Sequence, residues 1–267
     1  MGVVLLQRGA RGSTLTPAGV VLVEWATRLT DVADEVAAAI ETLRTGRDRE
    51  LRVVASMTVA ELLLPGWMVR LRRRQDDQRV PTTTVSLTAT NSTQVLRAVH
   101  DGSADIGFVE GSARPAGVRS TDIGTDELVL VTTPDQPLAR IRKPLTPAQV
   151  AALPLTSREP GSGTRQVVED ALAAHGLAMA PPAVELTTVT AIREAVRAGS
   201  APAFVSRRAV RYDLDAGRLV VVRTDGLALV RTLRAVWTGS RTPPAGPVRE
   251  LLEIARRHPS VTAPSPA

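Results

Sequence analysis

The chain has 267 residues, more than one ordinary compact core, so two lobes or domains are expected. Hydrophobic residues make up 43% of it and aromatics only 2%, which argues against an aromatic-rich all-β core and for helices and buried strands of Val, Leu, Ile and Ala. Lys and Arg number 33 against 27 acids, a net +6 that implies weak attraction to phosphate without sequence reading, and the absence of cysteine excludes disulfides, thiolate metal sites and Cys nucleophiles.

At the N-terminus the short apolar run before Arg8 is followed by no cleavage pattern, so no signal peptide is expected. Charged residues interrupt every apolar run well before the roughly 20 residues that a membrane span needs, so a soluble, cytoplasmic chain with no membrane contact is expected. Residues Leu5 to Leu15 read as a short hairpin with Arg8, Gly9, Arg11 and Gly12 at its tip. Thr16-Pro17 then starts a helix, the hydroxyl capping it and the proline taking the first helical position. Along it Leu22, Trp25, Leu29, Val32, Val36, Ala39 or Ile40, and Leu43 recur at spacings of three and four, the seam of a coiled coil over about three heptads. A helix packed on its own domain is the alternative, but no neighbouring helix is available before the polar break at 46–50, so a dimerising helix is favoured.

Beyond the break, strand and helix alternate: strands over 51–55, 85–89 and 105–109, helices over 59–73 and 93–100. A second lobe begins near Asp126, with strands over 127–132, 184–187 and 203–205 and helices over 166–175 and 191–198. A late strand over 232–237 and an amphipathic helix over 247–257 follow, then a Pro, Ser and Ala-rich tail expected to be disordered. The pattern predicts mostly parallel sheets covered by helices, and the strands at 127–132 and 232–237 allow two crossovers that form a hinge.

Four predicted strand-to-helix junctions carry Ser, Thr, Asn or Gly: Ser56-Met57-Thr58, Thr90-Asn91-Ser92-Thr93, Gly161 to Arg165, and Thr187 to Thr190. In open α/β sheets ligands sit beyond the carboxyl ends of the strands, and helix N-termini favour anions, so a carboxylate or similar group held between the lobes is expected, with Arg158 or Arg165 as a clamp. Any one junction alone is better explained as helix capping, while the set favours a cleft. Gly161-Ser162-Gly163-Thr164 lacks the lysine and spacing of a phosphate loop. His100, His175 and His258 stand apart, Asp76-Asp77 falls in a polar turn, and Arg72-Arg73-Arg74 ends a helix, so neither metal binding nor catalysis is expected.

The stretch from Gly2 to Arg8 and on through Leu15-Thr16-Pro17-Ala18-Gly19 resembles the wing and linker-helix start of LysR-type transcriptional regulators. Leu51-Arg52-Val53, Ala55-Ser56, Leu64-Pro65, Asn91-Ser92, Asp101-Gly102 and Asp105-Ile106-Gly107 are similar to that family's first regulatory subdomain, and Arg158 to Arg165 to its second. The resemblance implies an α/β, two-lobed, periplasmic-binding-protein-like (type 2) effector domain behind a long dimerising linker helix and the remnant of a winged helix-turn-helix. The implied division is 1–15 wing, 16–46 linker helix, 51–125 with 236–258 subdomain I, 126–235 subdomain II and 259–267 tail. It also implies that the recognition helix, which reads bases in the major groove, would lie before Met1 and so outside this sequence.

Carried over by position, Ser56, Thr58, Thr90, Asn91, Ser92, Ser162, Thr164 and Thr188 would face the effector, and Arg8, Arg11 and Ser13 would contact DNA. Implied partners are promoter DNA, a small anionic effector and a second or further copies of the chain, with no cofactor or metal. Ala201-Pro202-Ala203 departs from the glycine-containing strand start of relatives, which puts the cleft beside Phe204 in question. The alternative is a solute-binding protein or ligand-binding module of the same architecture that does not read DNA.

Overall fold

A computed structural model of the chain describes residues 2–9, 12–44 and 50–257, with positions 31, 34, 35 and 37–44 described by their backbone alone. The expectations for Arg11, His258 and the tail at 259–267 lie outside the described residues, as do the side chains of Ile40 and Leu43.

The hairpin pairs β1 (Leu6–Gly9) with β2 (Gly12–Leu15), and Arg8 stands opposite Ser13. Helix α1 (Pro17–Arg44) follows. Thr16 joins the two: its hydroxyl accepts from the Gly19 amide at 3.0 Å and donates to the Val4 carbonyl at 2.7 Å. Replacing Thr16 by alanine is expected to cost about 1 kcal/mol at this junction, seen as faster amide exchange in the first turn of α1, with unchanged exchange counting against the cap. At 28 residues α1 is about 42 Å long, and it leaves Leu22, Trp25, Leu29, Val32 and Val36 exposed.

The first lobe contains β3 (Glu50–Ser56), α2 (Met57–Leu62), α3 (Leu64–Gln78), β4 (Thr84–Thr90), α4 (Ser92–His100), β5 (Ile106–Gly111) and the first part of β6 (Arg119–Thr132). The single helix expected over 59–73 is two helices. Leu63 breaks it, because Pro65 has no amide for the helix ladder and is tolerated only in a first turn. Since α3 runs on to Gln78, Asp76 and Asp77 lie in its last turns and not in a loop.

The second lobe contains the rest of β6, α5 (Pro147–Ala151), β7 (Thr156–Arg158), α6 (Gly163–Ala173), β8 (Val184–Leu186), α7 (Val189–Arg197), β9 (Ala203–Ser206), α8 (Arg207–Asp215) and β10 (Val220–Val222). The chain then returns through β11 (Val230–Trp237) to α9 (Pro247–Arg257), which packs on α3 of the first lobe.

In the first lobe, β3 pairs parallel with β4 and β5, and β11 lies antiparallel between β5 and β6. In the second, Leu128 to Thr132 of β6 pair with β9 and β10. One strand therefore serves both sheets. All of β11 pairs with β5 and the first part of β6, its start at Val230 standing opposite Glu127.

Alternation along the strands sorts side chains to two faces. In the first lobe Leu51, Val53, Ile106 and Phe108 pack against α2, α3 and α9, with the Trp67 and Phe108 ring centroids 5.3 Å apart, while Val54, Val109 and Val236 face α4. Gly107 permits that second contact, since a Cβ there would sit 2.7 Å from a Val99 methyl and 2.8 Å from Val95 and Val236. In the second lobe Leu128, Leu130 and Phe204 pack with Val167 and Leu172, and Val129, Val131 and Val205 with Ile192 and Val210. Phe204 is thus a core residue of the second lobe.

Candidate functional site

The carboxyl ends of β3 and β5 and the start of α6 meet where the chain crosses between lobes, and the group at the centre is Arg231. Asp126 on β6 and Arg231 on β11 are direct cross-strand partners at the two crossovers. Arg231 is 1% exposed. Its Nε and Nη2 donate to Asp126 Oδ2 at 2.9 and 2.7 Å, Nη1 donates to Thr164 Oγ1 at 2.8 Å, and Nη2 donates to Thr58 Oγ1 at 3.0 Å. Nη1 also lies 3.2 Å from Glu110 Oε1. One guanidinium therefore joins Thr58 and Glu110 of the first lobe to Thr164 of the second.

Both carboxylates have further partners. Ser56 donates its hydroxyl to Glu110 Oε2. Asp126 Oδ1 accepts from Ser206 Oγ at 2.7 Å and from Arg208 Nε at 3.1 Å. Arg231 and Arg208 thus balance Glu110 and Asp126, and a paired, hydrogen-bonded set of this kind can be held in a low-dielectric interior where a lone charge could not.

Around this centre further hydrogen bonds join the lobes: Thr93 N donates to Gly161 O at 3.2 Å, Ser112 Oγ to Asp170 Oδ2 at 2.5 Å, and Thr190 Oγ1 to Glu61 Oε2 at 2.7 Å. The approach is closest at Gly163, where a Cβ would collide with the Glu110 carbonyl oxygen and lie 2.8 Å from both Glu110 Cγ and Ser92 Oγ. Beside it is a cavity of about 390 Å³ bordered by Ser92, Glu110, Ser112, Gly161, Gln166 and Arg234 among others. That size falls within the range of small-molecule sites.

Of the residues singled out in sequence, Ser56, Thr58 and Thr164 converge on the network, and Ser92 reaches its edge, with Oγ 3.3 Å from the Glu110 carbonyl. Ser162 sits at the N-cap of α6, buried, with no hydrogen-bond partner for its hydroxyl. Asn91 and Thr188 cap α4 and α7, accepting from Gln94 N and Ala191 N at 3.0 Å each. Thr90 ends β4 opposite Ser56 and is half-buried.

Arg158 and Arg165, expected as a clamp, both sit in ion pairs, and Arg158 keeps a buried Nη1 with no hydrogen-bond partner. Arg158 is buried and bonded to its neighbour Glu159, and Arg165 is bonded to Glu169 at 2.7 Å and Glu185 at 2.9 Å; the hydrogen bond it donates to Glu169 is the main cause holding the Arg165 pKa above its ordinary value. Glu110, Asp126, Arg208 and Arg231 were missed. Their signal was a charge placed within or next to a buried apolar strand, as Glu110 follows Ile106 to Val109 and Arg231 stands in an apolar run.

Arg8 and Ser13 are exposed on the hairpin. Among the described residues no three His, Asp or Glu are grouped to hold a metal ion, and no helix is long and apolar enough to cross a membrane.

Residues 44–260 match the family described as LysR substrate binding domain. The chain is 46% identical over 255 residues to an uncharacterized HTH-type transcriptional regulator of Mycobacterium tuberculosis, covering 94% of this chain and 82% of that one. Among solved structures it resembles the regulatory domain of CcmR from Synechocystis in complex with 2-PG, with a TM-score of 0.64, 19% identity, and coverage of 79% of this chain and 99% of that one. It also resembles an OxyR variant from Corynebacterium glutamicum, with a TM-score of 0.59, 19% identity, and coverage of 96% of this chain and 80% of that one.

Proposed function

The chain belongs to the LysR family of transcriptional regulators, and from that premise we propose that it answers a small anionic metabolite bound between its two lobes by changing how α1 presents DNA-reading heads across an oligomer. The observation that carries this reading is the interlobe cavity beside a network that ties both lobes to the two crossover strands. A ligand there alters the relation of the lobes only by interacting differently with their alternative arrangements, and groups from both lobes at its border give it the means. The CcmR regulatory domain was solved with 2-PG, a small molecule, which supports a binding role for the corresponding region. We assign the cleft no catalytic chemistry and locate the regulator with its promoter, in the cytoplasm. A thermal-shift screen of small carboxylates against the wild-type chain tests the effector class: at least one should stabilise it, and no response to any anion would refute the class.

The exposed seam of α1 supports self-association. Replacing Leu29, 71% exposed in the single chain, by glutamate is expected to shift the sedimenting species to the monomer, and an unchanged sedimentation coefficient would remove α1 from the interface. Arg8 and Ser13 are proposed as backbone contacts of the hairpin to DNA, with Arg11 proposed from sequence alone.

A further inference from the structure

Of the five N–H donors of a guanidinium, four are in hydrogen bonds here, to Asp126, Thr58 and Thr164, and the Nη1 that serves Thr164 also faces Glu110 Oε1 across an ion pair. An incoming anion can therefore reach Arg231 only by replacing one of these partners. Asp126 is held by two Arg231 nitrogens and by Ser206 and Arg208 as well. Glu110 has one Arg231 contact, the longest of the set at 3.2 Å, and it alone of the four residues borders the 390 Å³ cavity.

Charge leads to the same residue. With Arg231 and Arg208 already balanced by Glu110 and Asp126, a further buried anion leaves an unpaired negative charge unless a resident carboxylate leaves. We propose that Glu110 is an exchangeable ligand of Arg231, a carboxylate supplied by the chain itself, and that an effector's carboxylate takes its place. This rests on the anionic-effector reading above. Glu110 then sets specificity in two ways: it excludes anions too weak to displace it, and its release from Arg231 breaks a contact between β5 and the crossover strand β11.

The test is carboxylate rescue. In Glu110→Ala the side chain is gone and Arg231 lacks that partner, so acetate is expected to bind about tenfold or more tighter than to the wild-type chain, read by calorimetry and by the rise in melting temperature. Acetamide, of the same shape and uncharged, should do neither. Glu110→Gln, which keeps the shape and loses the charge, is the second variant should the alanine form fail to fold, with the same expected direction.

Equal acetate binding by variant and wild type, or an acetamide response matching that of acetate, overturns the proposal. Rescue of the variant beside a wild-type chain unmoved by every carboxylate makes Glu110 a fixed partner of Arg231 and overturns both the exchange and the anionic effector. Carboxylate binding to wild type that is unchanged in both variants sinks the exchange and leaves the effector reading standing.

Discussion

Replacement of Arg231 by methionine is expected to cost about 3–5 kcal/mol of unfolding free energy, the largest loss available to a single substitution at this site. The side chain is fully buried, and its removal leaves Glu110 and Asp126 facing each other's surroundings without their shared cation. Arg208 still pairs with Asp126, but Glu110 keeps only the Ser56 hydroxyl. Thr58 and Thr164 lose their bonds to the guanidinium at the same time, and the link between the lobes goes with them. Equilibrium urea unfolding measures the effect. Adding Glu110→Gln and Asp126→Asn to the methionine variant should return much of the loss, because replacing a whole buried ion set is far less costly than removing one member. A loss no greater than the ~1 kcal/mol of an exposed surface pair would mean the network does not hold the fold together.

Replacement of Gly163 by valine should act on lobe closure more than on folding. The new Cβ would collide with the Glu110 main-chain oxygen, a strand atom that cannot rotate away, and the added methyls would press on Ser92. Overpacking of this kind costs about 1–3 kcal/mol inside a core. Here the clash lies between two lobes joined by two strands, so the cheaper relief is for the lobes to part. The bond from Thr93 N to Gly161 O and that from Ser112 to Asp170 then lengthen or break. If effector binding needs the closed arrangement, the same energy weakens binding by roughly 5- to 150-fold. Small-angle scattering should show a larger radius of gyration, and hydrogen exchange should rise at Thr93. A valine variant as compact as wild type, with Thr93 equally protected, would show that the interlobe contact yields by local repacking.

Much of the fold was legible because local pattern coincided with final environment. The strands β3, β4 and β5 and the helices α4, α7 and α9 lie within one or two residues of their expected ranges, each a buried run or an amphipathic face bounded by turn residues. Helix α8 and strand β10 escaped notice. The first is rich in arginine, and the second has three residues whose partner, β6, lies far away in sequence. Strand β6 was read only in its second half for a related reason. Leu128 to Val131 are buried, whereas Arg119 to Glu127 include the exposed polar positions of an edge strand and show no continuous apolar run.

By itself, the sequence determined the class: alternating strand and helix, a heptad helix capped at Thr16, and Ser and Thr at strand ends that mark a cleft. Which of those polar side chains meet at the crossing of the lobes and which cap helices was decided only in three dimensions. Ser56, Thr58 and Thr164 converge because β3, α2 and α6 end or begin at the crossing of the lobes, while Asn91 and Thr188 turn back to their own helices. The charges at the centre were decided there as well. Arg231 and Asp126 are 105 positions apart in the chain and Arg231 and Thr58 are 173 apart, separations that no local spacing can encode. What brings them together is the pairing of β6 with β11, and a buried arginine needs partners on every side that only the folded chain can supply.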